Sequence, residues 1–150
     1  MRTGKEASEI SRKYFRPTQE DFLLAIIKGN ILVVRNLLGY SQIDPSANNN
    51  YAIRQASANG HTEIVRILLE DSRIDPAAKN NYAIRWASLK GYTNVVRLLL
   101  QDERVDPSAD NNFAFHSAIQ NDHTDVVKIL LQDPRVKLDV WDYHVYSLNN

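Results

Sequence analysis

The side chains able to ligate a metal or move a proton near neutral pH are four histidines, His61, His116, His123 and His144, in a chain with no cysteine. A metal site needs two or more of them to converge. His61 and His123 share one place in a repeating pattern, and the copy between them carries Tyr92. A ligand or general base does not survive exchange for a phenol, so a packing or capping role is expected for this pair. Without cysteine there are no disulfides and no thiolate metal sites. There is also no Gly-rich phosphate loop, no nucleophile elbow and no recurring close pair of carboxylates. Catalytic, metal-binding and cofactor-binding residues are therefore none, no cofactor is expected, and the chain is not read as an enzyme.

What positions these residues is a repeat. Asp44-Pro45, Asp75-Pro76 and Asp106-Pro107 recur every 31 residues, as do Tyr51-Ala52-Ile53-Arg54, Tyr82-Ala83-Ile84-Arg85 and Phe113-Ala114-Phe115-His116. Gly29, Gly60 and Gly91 keep the same step, with Asp122 in the fourth place, and residues 47–77 match 78–108 at 19 of 31 positions. A fixed period of this size signals a solenoid of stacked supersecondary units.

Each unit reads as two helices. Asn50, Asn81 and Asn112 suit the N-cap of the first, where a side-chain oxygen accepts an orphan backbone N–H. Glycine suits the left-handed residue that ends it. Thr62, Thr93 and Thr124 suit the N-cap of the second helix, whose Ile64, Val65, Leu68 and Leu69 make one apolar face, repeated as Val95, Val96, Leu99 and Leu100 and again as Val126, Val127, Leu130 and Leu131. Asp-Pro then closes the unit, because proline cannot continue a helix.

Gly60-His61-Thr62-Glu63-Ile64-Val65-Arg66-Ile67-Leu68-Leu69 and the turn after it resemble the second half of an ankyrin repeat. The resemblance covers residues 18–139 as about four units, 18–46, 47–77, 78–108 and 109–139. It implies an all-α solenoid of the ankyrin type with short hairpin fingers, since the 31-residue step is shorter than the family's usual 33. The family's Thr-Pro-Leu-His is replaced by Tyr-Ala-Ile-Arg, and only His116 holds the family's structural histidine. Tetratricopeptide units, also helical hairpins, run to about 34 residues with a different signature. Arg54 and Arg85, in the histidine's place, either reach the same backbone acceptors or present a cationic ladder to an acidic partner.

Where the units differ points to function. Second-helix changes are mild, but the first helix and its following loop change character: Gln55, Trp86 and Ser117; Ala58, Leu89 and Gln120; Asn59, Lys90 and Asn121. In the ankyrin family the first helices and fingers line the concave face where partners bind. Protein–protein recognition is therefore the expected function, on a surface drawn from these residues together with Arg54, Arg85 and His116. Trp86 and Leu89 would be apolar anchors beside Arg85 and Lys90, residue types typical of interface hot spots. The competing expectation for Trp86 is simple space filling between first helices. The competing function is an architectural spacer or assembly domain with no dedicated groove partner.

The ends differ from the middle. Residues 1–17 form a basic extension; Ile10, Tyr14 and Phe15 are spaced to fold back over Ile26 and Ile27, or else the segment is an unstructured leader. Asn36 stands where the other units have Ile67, Leu98 and Ile129, as an end cap would. Residues 140–150 read as a half-repeat cap, in a stretch rich in Leu138, Val140, Trp141 and Tyr143; an interface is the alternative. With 18 basic and 18 acidic residues there is no global field to draw in nucleic acid or an anionic membrane. No apolar run spans a bilayer and no secretory signal opens the chain. The partner expected is another protein, with the chain monomeric and intracellular in the cytoplasm.

Overall fold

A computed structural model describes residues 15–148, and these contain helices and turns but no strand. The helices fall in pairs: α1 (Gln19–Ile27) with α2 (Ile31–Leu37), α3 (Ala47–Ala58) with α4 (Thr62–Leu69), α5 (Ala78–Leu89) with α6 (Thr93–Leu100), and α7 (Ala109–Gln120) with α8 (Thr124–Gln132). A further helix, α9 (Val140–Leu148), follows them. First helices stack on first helices, α1 on α3 on α5 on α7, and second helices on second helices, α2 on α4 on α6 on α8. This is an all-α ankyrin-type solenoid. One core row runs through it, Phe22, Ile53, Ile84 and Phe115, each fully buried. Ala52, Ala56, Ala83 and Ala87 are buried beside that row, and their small side chains let first helices approach closely. Ile64, Val65 and Leu68, like Val95, Val96 and Leu99, are fully buried on the second helices, the face their spacing predicts.

The finger is smaller than a hairpin. The Asp-Pro turn is an Asx turn, in which the Asp44 carboxylate accepts from the Ser46 N–H at 2.9 Å and its hydroxyl at 2.6 Å. It is followed by three consecutive left-handed residues: Asn48, Asn49 and Asn50 (φ 55, 55 and 57°), then one unit on Lys79, Asn80 and Asn81, then Asp110, Asn111 and Asn112. Left-handed backbone costs L-residues roughly 1–2 kcal/mol each, and Asn and Asp bear it best. All but Lys79 are of that type. The right-handed part of each first helix thus begins at Tyr51, Tyr82 and Phe113.

This turn corrects two sequence expectations. Asn50 and Asn81 are not N-caps: their side-chain oxygens accept the N–H of Asp75 and Asp106 in the Asp-Pro turn that closes the same unit, both at 2.8 Å. Asn112 instead donates to the Lys137 carbonyl at 3.1 Å and the Asp142 carboxylate at 3.0 Å. Thr62, Thr93 and Thr124 are first helical residues, and the caps before them, His61, Tyr92 and His123, make no side-chain cap bond. His61 and His123 reach back instead, with Nε2 at 3.1 Å from the Ile27 carbonyl and 3.0 Å from the Leu89 carbonyl of the preceding unit. Their rings, and that of Tyr92, cover the preceding unit's glycine. A Cβ on Gly60 (φ +72°) would lie 2.8 Å from the Tyr92 ring, so both backbone and space demand glycine there. Asp122 (φ 57°) holds the fourth such position.

A second repeated device is an Asp-x-Arg clamp. Arg73 grips Asp71 with Nε and Nη2 at 2.9 and 2.6 Å and donates Nη1 to the Ile43 carbonyl of the preceding unit at 3.1 Å. Arg104 does the same to Asp102 and the Ile74 carbonyl, and Arg135 to Asp133 and the Val105 carbonyl. The arginine hydrogen bonds hold all three carboxyls below the usual carboxylate range, against some desolvation.

At the ends, Ile10 and Tyr14 lie outside the described residues. Ile26 is fully buried, whereas Ile27 is 45% exposed. Asn36 is exposed where Ile67 and Leu98 are buried. α9 is tethered to α7: Asp142, buried, accepts from Asn112 and pairs with His116 Nε2 at 2.6 Å, and the Tyr146 ring lies 6.2 Å from that of Phe115. Asp139 and Asp142 close a capping box at its first turn, Asp142 accepting from the Asp139 N–H at 2.8 Å and returning its own N–H to Asp139 at 2.9 Å.

Candidate partner-binding surface

The residues singled out in sequence lie along the first helices and the bends after them. Each first helix buries its Ile or Phe toward the core, so the positions two and five residues further on emerge on the other side. Those positions form two rows, Leu24, Gln55, Trp86 and Ser117, then Ile27, Ala58, Leu89 and Gln120, stacked because the helices that carry them are stacked.

Trp86 and Leu89 are half-buried and Lys90 is exposed. The Trp86 indole stacks on Tyr82 of its own helix, with centroids 5.3 Å apart and planes 30° from parallel. That contact fixes the ring while leaving part of it accessible. Gln55 and Ala58 are half-buried, and Asn59, Gln120 and Asn121 are exposed, with Asn59 and Asn121 each donating to the carbonyl four residues back at 2.8 Å. Ser117 does not join the surface: it is buried, and its hydroxyl donates to the Ala114 carbonyl at 3.2 Å.

Arg54 and Arg85 serve the scaffold. Arg54 donates to the Asn49 and Asn48 carbonyls of its own left-handed turn, each at 3.0 Å, while its guanidinium lies 5.2 Å from the centre of the next unit's Tyr82 ring. Arg85 donates to the Asn80 carbonyl at 2.9 Å, pairs with Asp110 at 2.6 Å and sits over Phe113 at 5.2 Å. The arginines therefore satisfy carbonyls that left-handed geometry would otherwise leave open and tie successive units through an aromatic ring. His116, in the same register, turns to Asp142.

Sequence reasoning missed the start of the rows. Leu24 is 50% exposed and Ile27 45% exposed, and with Glu20, Asp21, Leu23, Asn48 and Tyr51 they line a shallow apolar groove. Stepping the period back one unit from Gln55 and Ala58 would have found them. Among the described residues no group of three or more His, Asp or Glu is placed to hold a metal ion, and no helix is long and apolar enough to cross a membrane.

Two family models match this chain, one for an ankyrin repeat over residues 48–81 and one for three copies of ankyrin repeats over 75–142. The chain belongs to the ankyrin-repeat family. Ankyrin similarity extends to solved structures: a chain in the crystal structure of the yeast ribosomal protein Rps3 in complex with its chaperone Yar1 is 27% identical, with a TM-score of 0.64. The match covers 81% of this chain and 95% of that one. No curated protein matches.

Proposed function

We propose that this ankyrin array is a protein-binding module whose partner lies on the first-helix surface, across Leu24 and Ile27, Gln55 and Ala58, and Trp86, Leu89 and Lys90. The observation that carries the reading is the state of Trp86: a large ring held by Tyr82 in one orientation, part-exposed, with Leu89 and Lys90 beside it. A fixed aromatic loses little side-chain freedom on binding, which is how a rigid scaffold turns contact area into affinity. The similarity to a chain of a two-protein complex supports a role in partner binding rather than in catalysis.

The test is substitution followed by partner capture. Trp86→Ala, Leu89→Ala and Lys90→Ala, introduced one at a time into the tagged full chain, are compared by quantitative mass spectrometry of co-purifying proteins from the native cell. Loss of one specific partner with Trp86→Ala or Leu89→Ala, at unchanged melting temperature, supports the groove. Retention of every partner by all three variants rejects it and leaves the architectural reading.

A further inference from the structure

Two arginines of the array show what holds a guanidinium on this surface. Arg54 of the second unit lies 5.2 Å from the centre of the Tyr82 ring in the third. Arg85 of the third lies 5.2 Å from that of Phe113 in the fourth, and pairs with the Asp110 carboxylate at 2.6 Å. An aromatic face with a carboxylate beside it suits a planar, delocalised cation with a fork of donors.

One step earlier the ring and the carboxylate are present and the arginine is missing. Tyr51 holds the register of Tyr82 and Phe113, but the register of Arg54 and Arg85 is Leu23 on α1. Tyr51 therefore receives no guanidinium from the preceding unit, and among the described residues it has only Arg54 of its own helix, at 5.5 Å. Glu20 and Asp21 line the same groove as Tyr51. Glu20 is exposed and makes no hydrogen bond or ion pair with any described residue. Hydrogen bonds from the Thr18 backbone and hydroxyl hold the Asp21 carboxyl below the usual carboxylate range, so it adds negative charge at neutral pH.

The floor of this groove is apolar. Leu24 is 50% and Ile27 45% exposed, and Leu23 lies beside them. Among the described residues, the second and third units expose no large apolar side chain. An apolar floor under unpaired negative charge favours a segment that brings a cation and an apolar side chain together, and repels an acidic one.

We propose that the first-unit groove takes an arginine of the protein partner, seated on the Tyr51 ring and paired with Glu20, with an apolar side chain of the same segment among Leu23, Leu24 and Ile27. This rests on the first-helix surface being the binding face, and it names the chemistry of what binds there. The partner's guanidinium completes the ladder that Arg54 and Arg85 continue into the later units.

Selection of phage-displayed random peptides of about sixteen residues on the full chain tests it. That length spans about 24 Å even as a helix, enough to run from α1 over α3 to α5 at about 10 Å per helix. Enriched peptides should share an arginine close to a large apolar residue. The tightest of them, made with a fluorescent label, should lose affinity about ten-fold with Glu20→Lys and with Leu24→Ala, at unchanged melting temperature. A peptide with glutamate in place of that arginine should prefer the Glu20→Lys chain, and one with lysine there should bind the parent more weakly. No enriched peptide, enrichment without arginine, or affinity indifferent to both Glu20→Lys and Leu24→Ala overturns the proposal. If such indifference accompanies a loss with Trp86→Ala, the first-helix reading stands and only the arginine seat fails; indifference to Trp86→Ala as well removes both. Enrichment that appears only after Arg12→Glu with Lys13→Glu would give the groove to the chain's own basic segment. A dimer seen by light scattering and dissociated by Glu20→Lys would give it to a second copy. Either result overturns the proposal.

Discussion

Asn81 concentrates the logic of this solenoid, because it does two jobs that different substitutions separate. Its backbone is left-handed (φ 56°), and its side-chain oxygen accepts the Asp106 N–H of the turn that closes its unit at 2.8 Å, in a setting where Asn81 is only 8% exposed. Alanine fails at both. Left-handed geometry adds about 1 kcal/mol, and an unmet, part-buried N–H adds about 1–3 kcal/mol, so Asn81→Ala should destabilise by about 2–4 kcal/mol. Asn81→Gly keeps the backbone freedom and loses only the bond and some unfolded-state entropy, for about 1–3 kcal/mol. Asn81→Asp keeps both acceptor and left-handed tolerance and should cost under about 1 kcal/mol. Urea unfolding followed by circular dichroism measures all three, with equal m-values showing that the same surface is exposed each time. A ranking of Ala worst, Gly intermediate and Asp mildest supports the account. An Asn81→Ala variant within about 0.5 kcal/mol of the parent would refute both the left-handed turn and the clamp as stabilising features.

Other outcomes follow from the same geometry. Leu99→Ala empties a fully buried position and should cost about 2–5 kcal/mol in the same assay, a loss under about 1 kcal/mol contradicting the packing. Gly60→Ala should lower the melting temperature more than Asp122→Ala does, since only Gly60 lies under the next unit's Tyr92 ring; equal shifts would remove that contact from the account. The Arg-bound Asp71, Asp102 and Asp133 have folded pKa values below their unfolded ones, so their stabilisation is complete above the unfolded carboxylate value of about 4 and drains away as pH falls through the folded values. Asp102→Asn should therefore flatten the acid side of the stability–pH curve, and an unchanged slope would contradict the clamp. Asp142→Ala should release α9, seen as faster amide exchange across residues 140–148 with α5 and α6 unchanged; an unaffected α9 would mean that the His116 and Asn112 contacts do not hold it.

Much of the architecture was legible because a repeat constrains itself. Gly60 and Gly91 recur under Tyr92 and His123, and Ile53, Ile84 and Phe115 share one buried register, so period and hydropathy alone place both helices of each unit. Tyr92 in the position of His61 and His123 points to packing, and each of these rings covers the glycine of the preceding unit. What stayed hidden was the finger. An asparagine before an apolar run looks like an N-cap, and three successive left-handed residues lie outside the usual local repertoire. Asn50 and Asn81 accordingly pair with the far end of their own units, a partner 25 residues away that local pattern cannot show. The Asp-x-Arg clamp was visible as a recurring spacing at Asp71, Asp102 and Asp133, yet its meaning needs the carbonyl of the preceding unit. Ser117 was misplaced for a related reason: at the register of exposed Leu24 and half-buried Trp86, its short side chain turns back to its own helix.

The central claim, that a partner sits on the first-helix surface, is tested most directly by amide-exchange mass spectrometry of the full chain with and without the protein it captures. Slower exchange on binding should map to α1, α3 and α5 and the bends at Asn59-Gly60 and Lys90-Gly91. Protection confined to the second helices α4, α6 and α8 would place the partner on the opposite side and contradict the account.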